Sequence, residues 1–337
     1  MTSLIHDPAS LREAAARHGL LYGAALGTAD LDVERLRRIV LRECSLLSPE
    51  YEMKWDHIGI RPDYRAGDRL VAFAAEHALA VHGHALWWHG SVPAPLKGAS
   101  RQAFAAAALR HLTATVRRYT GRMHSWDVVN EPLEEEPGGR PDGLRPTPFL
   151  DALGPDYIAV AFRNAVELDP GAVLVLNEMG LEYTSPEADR KRRLMLALLE
   201  RQLADGTPIH CLGLQSHLDA VDQPRRHPEL RAFLREVRQM GLGVMITELD
   251  VSDRHCPRDL RRRDAMVADV YRAHVELVLE ESRTLAVTTW GLDDGRSWLA
   301  EGRPRPDGAA VRPLPFDRAL RRKPAWRALK EAFLRFR

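Results

Sequence analysis

Two glutamates stand at the ends of apolar runs, where a core would reject them. Glu131 closes "SWDVVNE" (125–131) and Glu248 closes "GVMITE" (243–248). Trp126, Val128 and Val129 suit a buried strand, whereas glutamate is almost never fully buried without a partner. A single such residue is ordinarily a solvated strand end. Two of them, on different strands and facing one mouth, could hydrolyse a glycosidic bond. One carboxyl, protonated, serves the leaving oxygen, and the other, ionised, attacks or activates water. In a retaining site the pair stands about 5–5.5 Å apart. Other strand ends are polar in the same way: His84, with Trp88 and His89 beyond it, then Asn130, then Gln215 and His217, then Asp250, then Trp290. Aromatic faces can stack on sugar rings. Lys54, Asn130, Gln215 and His217 offer hydrogen bonds to hydroxyl groups. Period two on a strand turns Glu248 and Asp250 the same way, so Asp250 is a partner for His217 before it is a second catalyst.

The same alternation aligns His82 with His84, a pattern that marks a metal site in some barrels. No clear partner ligands accompany it, so the chemistry is expected to need neither metal nor redox cofactor. Cys44, Cys211 and Cys256 are far apart and form no CxxC pair, which argues against a disulfide framework and a cysteine zinc site. Lys+Arg 48 against Asp+Glu 47 leaves a formal charge of +1, no basis for binding nucleic acid or an anionic membrane. No apolar run approaches a membrane span, and the first residues lack a basic segment followed by an apolar one. The expected location is cytoplasmic, with a non-standard export route left open. Oligomeric state is not readable.

The elements that must position these residues alternate along the chain. Strand candidates fall at 20–26, 44–47, 80–88, 125–130, 172–179, 211–218, 243–251 and 285–292. Amphipathic helical stretches fall at 31–43, 68–78, 100–119, 156–168, 186–204, 227–240, 259–281 and 324–335. Eight strand–helix units without a linker or repeat predict one domain over 1–337, a (β/α)₈ barrel. An open doubly wound sheet is the alternative, but no Gly-rich phosphate loop follows the first strand. In a barrel the chemistry sits at the C-terminal strand ends, which is where the polar residues gather.

Read as motifs, these segments resemble the family 10 glycoside hydrolases, mostly endo-β-1,4-xylanases. "SPEYEMKWD" (48–56) is similar to that family's E-N-x-M-K-W motif, and "GHALWWH" (83–89) to its third-strand motif. "WDVVNE" (126–131) matches the acid/base motif, and "LQSHL" (214–218) and "ITELDV" (246–251) resemble the sixth-strand and nucleophile motifs. "TTWGLDDGRSWL" (288–299) and "PLPFDRALRRKPAW" (313–326) are similar to the closing segments. The resemblance runs from about Tyr22 to the C-terminus. It implies a retaining barrel enzyme acting on β-1,4-linked xylose chains, with Glu131 as acid/base and Glu248 as nucleophile. Asn130 would flank the 2-hydroxyl. Lys54, His84, Gln215 and His217 would bind the sugar at the cleavage point and its neighbour. Trp88, Trp290 and Trp298 would wall the site, Glu50 would bind the next sugar, and Asp250 would orient His217.

Tyr51 departs from the motif, standing where the family usually has Asn. A phenol for a small amide implies an altered non-reducing side of the cleft. His82, Trp87 and Glu178 also depart and read as packing variations. Glu134, Glu135 and Glu136 read as a solvated loop, as does 301–313, whose Arg303, Arg305 and Arg312 could alternatively contact an acidic sugar. The rival functions are another β-glycosidase specificity, a carbohydrate-binding barrel without catalysis, and a metal-dependent hydrolase built on His82 and His84.

Overall fold

A computed structural model describes residues 10–134, 139–221 and 227–335. Glu135 and Glu136 fall outside them. Eight parallel strands pair in chain order: β1 (Leu21–Leu26), β2 (Leu46–Pro49), β3 (Ala80–Gly83), β4 (Ser125–Asn130), β5 (Val173–Glu178), β6 (Cys211–Leu214), β7 (Gly243–Ser252) and β8 (Thr284–Thr289). Strand β8 also pairs with β1, which closes the ring into a (β/α)₈ barrel. The helices between strands cover its outside, and several begin where the sequence supplies a cap. Ser100, Ser185 and Asp259 each accept a hydrogen bond from the backbone N–H three residues on.

Two expected strands are broken. Residues 80–88 divide into β3 and the short pair Trp87–Trp88, which lies beside β4. Residues 211–218 divide into β6 and His217–Asp219, which pairs with β7. Between the latter two, Ser216 takes φ +59°, a left-handed turn that no regular strand tolerates.

Side chains alternate in and out of the barrel. Inside, Leu46, Val175, Cys211, Met245 and Ala286 make an apolar floor, all fully buried. Outside, Trp126, Val128, Leu174, Leu176 and Ile246 join the larger core beneath the helices. Two steps along β5 and β7 from the floor, the interior turns polar with Asn177 and Thr247.

Period two would leave Asn130 and Glu248 on the outer face, but two irregularities in register prevent it. Between β4 and β5, Asp127 faces Val175 and Val129 faces Leu176, so β4 carries one extra residue. Asn130 then lies opposite Asn177. Between β7 and β8, Ile246 faces Val287 and Leu249 faces Thr289, which gives β7 the extra residue. Each behaves as a bulge, which re-aims the side chains beyond it.

Close approaches fix two glycines. A Cβ on Gly213 would lie 2.3 Å from Asn177 Oδ1, and one on Gly83 would lie 2.2 Å from the Trp126 ring. We expect Gly83→Ala to cost about 1–3 kcal/mol of stability, as overpacking of a filled core does. An unchanged urea midpoint would show that the indole has room to move.

Candidate active site

At the C-terminal strand ends lies a cavity of about 290 Å³. Every site residue expected from the sequence lines it except Asp250, which stands one contact behind. Met179, Gly180, Tyr183 and Arg303 complete the lining.

Glu131 is the first residue past β4 and takes φ +56°. A glutamate in that region costs of order 1–3 kcal/mol and persists only where its surroundings impose it. Here they do. Its N–H donates to the Asn177 carbonyl at 2.9 Å, and its own carbonyl accepts from Arg145 Nε at 3.2 Å. Two residues on, the Leu133 N–H donates to Glu178 at 3.0 Å, and Glu178 pairs with Lys191 at 3.0 Å, both buried. Glu178 is therefore an anchor for the segment after Glu131. The Glu131 side chain enters the cavity, where Oε1 accepts from Gln215 Nε2 at 3.0 Å and from Asn130 Nδ2 at 3.4 Å.

Glu248 is 4% exposed. Its Oε1 accepts from Asn177 Nδ2 at 2.8 Å and its Oε2 from His217 Nε2 at 3.2 Å. Burial alone would push this carboxyl up. His84 and His217 outweigh burial, and the group lies below its usual range. Three amides tie the two glutamates together: Asn130 Oδ1 accepts from Asn177 Nδ2 at 2.9 Å and from Gln215 Nε2 at 3.2 Å. Thr247 Oγ1 donates to Asn177 Oδ1 at 2.8 Å, which fixes that amide's orientation.

His217 bridges Glu248 and Asp250, with Nδ1 3.0 Å from Asp250 Oδ1. Asp250 Oδ2 accepts from Trp298 Nε1 at 2.7 Å, so one carboxylate holds both rings. Burial works against the imidazolium. Asp250, then Glu248, overcome it and push His217 up to about 10.

On the side formed after β2, Lys54 is buried with its Nζ 4.7 Å from the Tyr51 ring, 5.0 Å from Trp88 and 5.7 Å from Trp290. Burial lowers its pKa, and Glu248 and Glu50 pull it back. Burial, with Asp30 adding to it, pushes Glu50 up to about 7. Tyr51 forms the outer lip, 54% exposed.

Beneath the cavity Asp127 takes hydrogen bonds from His82 Nε2 at 3.0 Å and His84 Nδ1 at 2.8 Å. Burial raises this carboxyl, but the two histidines more than offset it and its pKa is lowered. The ligating atoms of His84, Asp127 and Glu248 lie within 4.8 Å of one another, a metal-like cluster. His84 Nδ1 is committed to Asp127, and both Glu248 oxygens are committed to Asn177 and His217, so hydrogen bonding accounts for their proximity.

Sequence reasoning missed Asn177 and Asp127. Asn177 follows Val173 and Val175 at period two, and that count could have found it. The segment 301–313 is not the solvated loop expected. Arg305 is buried with Asp253, Asp307 and the Cys256 carbonyl, and Arg312 holds Asp264 through two contacts of 2.7 Å. Trp87 and Phe149 stack at 5.0 Å in the outer core, which is packing.

A barrel mouth with paired carboxylates, aromatic walls and a hydroxyl-binding set defines a glycoside hydrolase. The model described as "Glycosyl hydrolase family 10" matches residues 10–332, and the chain belongs to that family. It is 35% identical over 286 residues to endo-1,4-beta-xylanase C of Paenibacillus barcinonensis, covering 78% of this chain and 26% of that protein. To a beta-1,4-xylanase of Dictyoglomus thermophilum it is 31% identical, covering 82% of this chain and 78% of the relative. The chain thus spans about a quarter of the first relative's length and most of the second's. Among solved structures it is similar to xylanase 10B of Thermotoga petrophila in complex with xylobiose. That match has a TM-score of 0.86 and 26% identity, over 96% of this chain and 97% of that one.

The His217 arrangement has a measurable consequence. Its folded-state pKa of about 10 lies above the ordinary 6.5. The stability it contributes is therefore fully present below about pH 6.5 and lost as pH rises through about 10. In histidine NMR titrations we expect His217 to keep its proton through pH 8 and Asp250→Asn to lower its pKa. A wild-type His217 resonance titrating near neutrality would contradict the bridging geometry.

Proposed function

We propose that this protein is a retaining endo-β-1,4-xylanase, acting on xylan or xylo-oligosaccharides. The observation that carries the reading is the pair Glu131 and Glu248, joined through Asn130, Asn177 and Gln215 at the floor of one cleft. The named relatives and the family membership support the substrate class.

In the first step Glu131, protonated, gives its proton to the glycosidic oxygen as Glu248 attacks the anomeric carbon. The C–O bond to the leaving sugar breaks and a glycosyl ester on Glu248 forms. The nucleophile is an ionised carboxylate because His217 and His84 face it. Glu131, now ionised, takes a proton from water, which attacks the same carbon and releases a sugar of retained configuration. Asn130 binds the 2-hydroxyl, an interaction that strengthens in the transition state. Lys54, Glu50, His84, Gln215 and His217 bind the hydroxyls on the non-reducing side, between Trp88, Trp290 and Trp298. No step requires a metal or an organic cofactor.

Product analysis on linear xylo-oligosaccharides tests this directly. Wild type should release xylose and xylobiose, with the β-anomer formed first by NMR. Glu131→Ala should lose about 10²–10⁴-fold in rate, and Glu248→Ala should abolish turnover. Full activity in either variant, or an α-anomer as first product, would reject the mechanism.

Tyr51 modulates the non-reducing side. Its ring covers Lys54 while more than half exposed, so it narrows the entrance and offers a stacking face. Tyr51→Asn should lower KM on linear chains at nearly constant kcat. An unchanged KM would remove Tyr51 from substrate selection.

A further inference from the structure

The segment 301–313, beyond β8, carries three arginines with different surroundings. Arg305 and Arg312 are consumed by Asp253, Asp307 and Asp264. These pairs also fix the loop: the Arg312 N–H donates to Asp253 Oδ1 at 3.1 Å, and Lys323 Nζ donates to the Arg312 carbonyl at 2.7 Å. Arg303 is different. It lines the cavity of Glu131 and Glu248, and among the described residues its guanidinium has no carboxylate and no hydrogen-bond partner. Its backbone is nonetheless held, since its N–H donates to the Leu299 carbonyl at 3.1 Å and caps the short helix Leu299–Gly302.

The other cations of the cavity have carboxylates of the protein within electrostatic reach. Lys54 is drawn to Glu248 and Glu50, and His217 sits between Glu248 and Asp250. Arg303 acts instead on Tyr183, whose hydroxyl is spent as a donor to the His217 carbonyl at 2.6 Å. Tyr183 lies beyond β5, whereas Glu50, Tyr51 and Lys54 lie beyond β2, across the ring. A guanidinium is a rigid fork of donors matched to a carboxylate, and a neutral glycan offers it hydroxyls alone.

We propose that Arg303 is a carboxylate receptor for the substrate, taking a uronic acid carried by the glycan on the side of the cleft away from Glu50 and Tyr51. Arg303 thereby sets a preference for acidic over linear chains. This inference rests on the endo-xylanase reading above.

The test compares kcat/KM on three probes: a linear xylo-oligosaccharide, the same chain with one glucuronic acid branch, and that branch as its methyl ester. The ester keeps the shape and removes the charge. Arg303→Gln should lower the value for the acid-branched probe about tenfold or more, the scale of a charge-assisted hydrogen bond. The linear and esterified probes should change by less than about twofold. Arg303→Lys should recover part of the loss, and added salt should erode the wild-type preference for the acid. Equal losses on all three probes would assign Arg303 to packing and overturn the proposal. So would an acid-branched probe that the variant cleaves as well as wild type does, or that wild type leaves intact while cleaving the linear one. A wild type that cleaves none of the three overturns the xylanase reading, and the inference with it.

Discussion

A strand in a closed barrel can send only every second side chain inward, and everything at this site depends on how the chain breaks that rule. On β4 the inward positions are Ser125 and Asp127, and on β7 they are Met245 and Thr247. Strict continuation would bring Val129 inside and leave Asn130 and Glu248 beneath the helices. One extra residue in each strand exchanges them. Asn130 then meets Asn177, and Glu248 meets Asn177 and His217. A bulge costs part of a hydrogen-bond ladder and re-aims everything beyond it.

Burying so many polar groups together imposes a second requirement, that they satisfy one another. A buried polar group left without a partner costs about 1–3 kcal/mol. Asn130, Asn177, Gln215 and Thr247 answer this as a linked set, with Asn177 donating to a glutamate and an amide and accepting from a threonine. The electrostatics follow the same layout. His84 and His217 face Glu248 and hold it ionised, while Asp250 lies behind His217 and holds that ring charged. Removing one member therefore perturbs the others, and single substitutions here should not add.

The loops above the ring are fastened by a repeated device, a buried carboxylate that accepts a backbone N–H from a residue at least twenty positions away in the chain. Glu178 takes the N–H of Leu133, Glu182 that of Ser216, Asp253 that of Arg312 and Asp294 that of Leu314. Burial raises Glu178, Glu182 and Asp294, the last to about 6 against the pull of Lys323. These carboxylates support the site without entering it. Ser216 and Glu131, both in the left-handed region, sit beside such anchors.

The sequence by itself determined the architecture and the chemistry of the strand ends. Alternating apolar runs and amphipathic stretches are local patterns, and Ser100, Ser185 and Asp259 mark helix starts by local hydrogen bonding, so both can be read without a fold. Period two alone sets Asp250 on the side of Glu248, because no irregularity lies between them. What tertiary structure decided was everything set by a neighbour distant in the chain. The extra residues in β4 and β7 have no local signature, since a bulge is defined against the partner strand. Asn177 resembles any polar strand end until Asn130 and Glu248 close on it. Arg303, Arg305 and Arg312 are indistinguishable in sequence. Only the fold gives two of them aspartates and leaves the third facing the cleft, because an ion pair depends on which charges the chain brings within a few ångströms, and spacing along the sequence does not encode that.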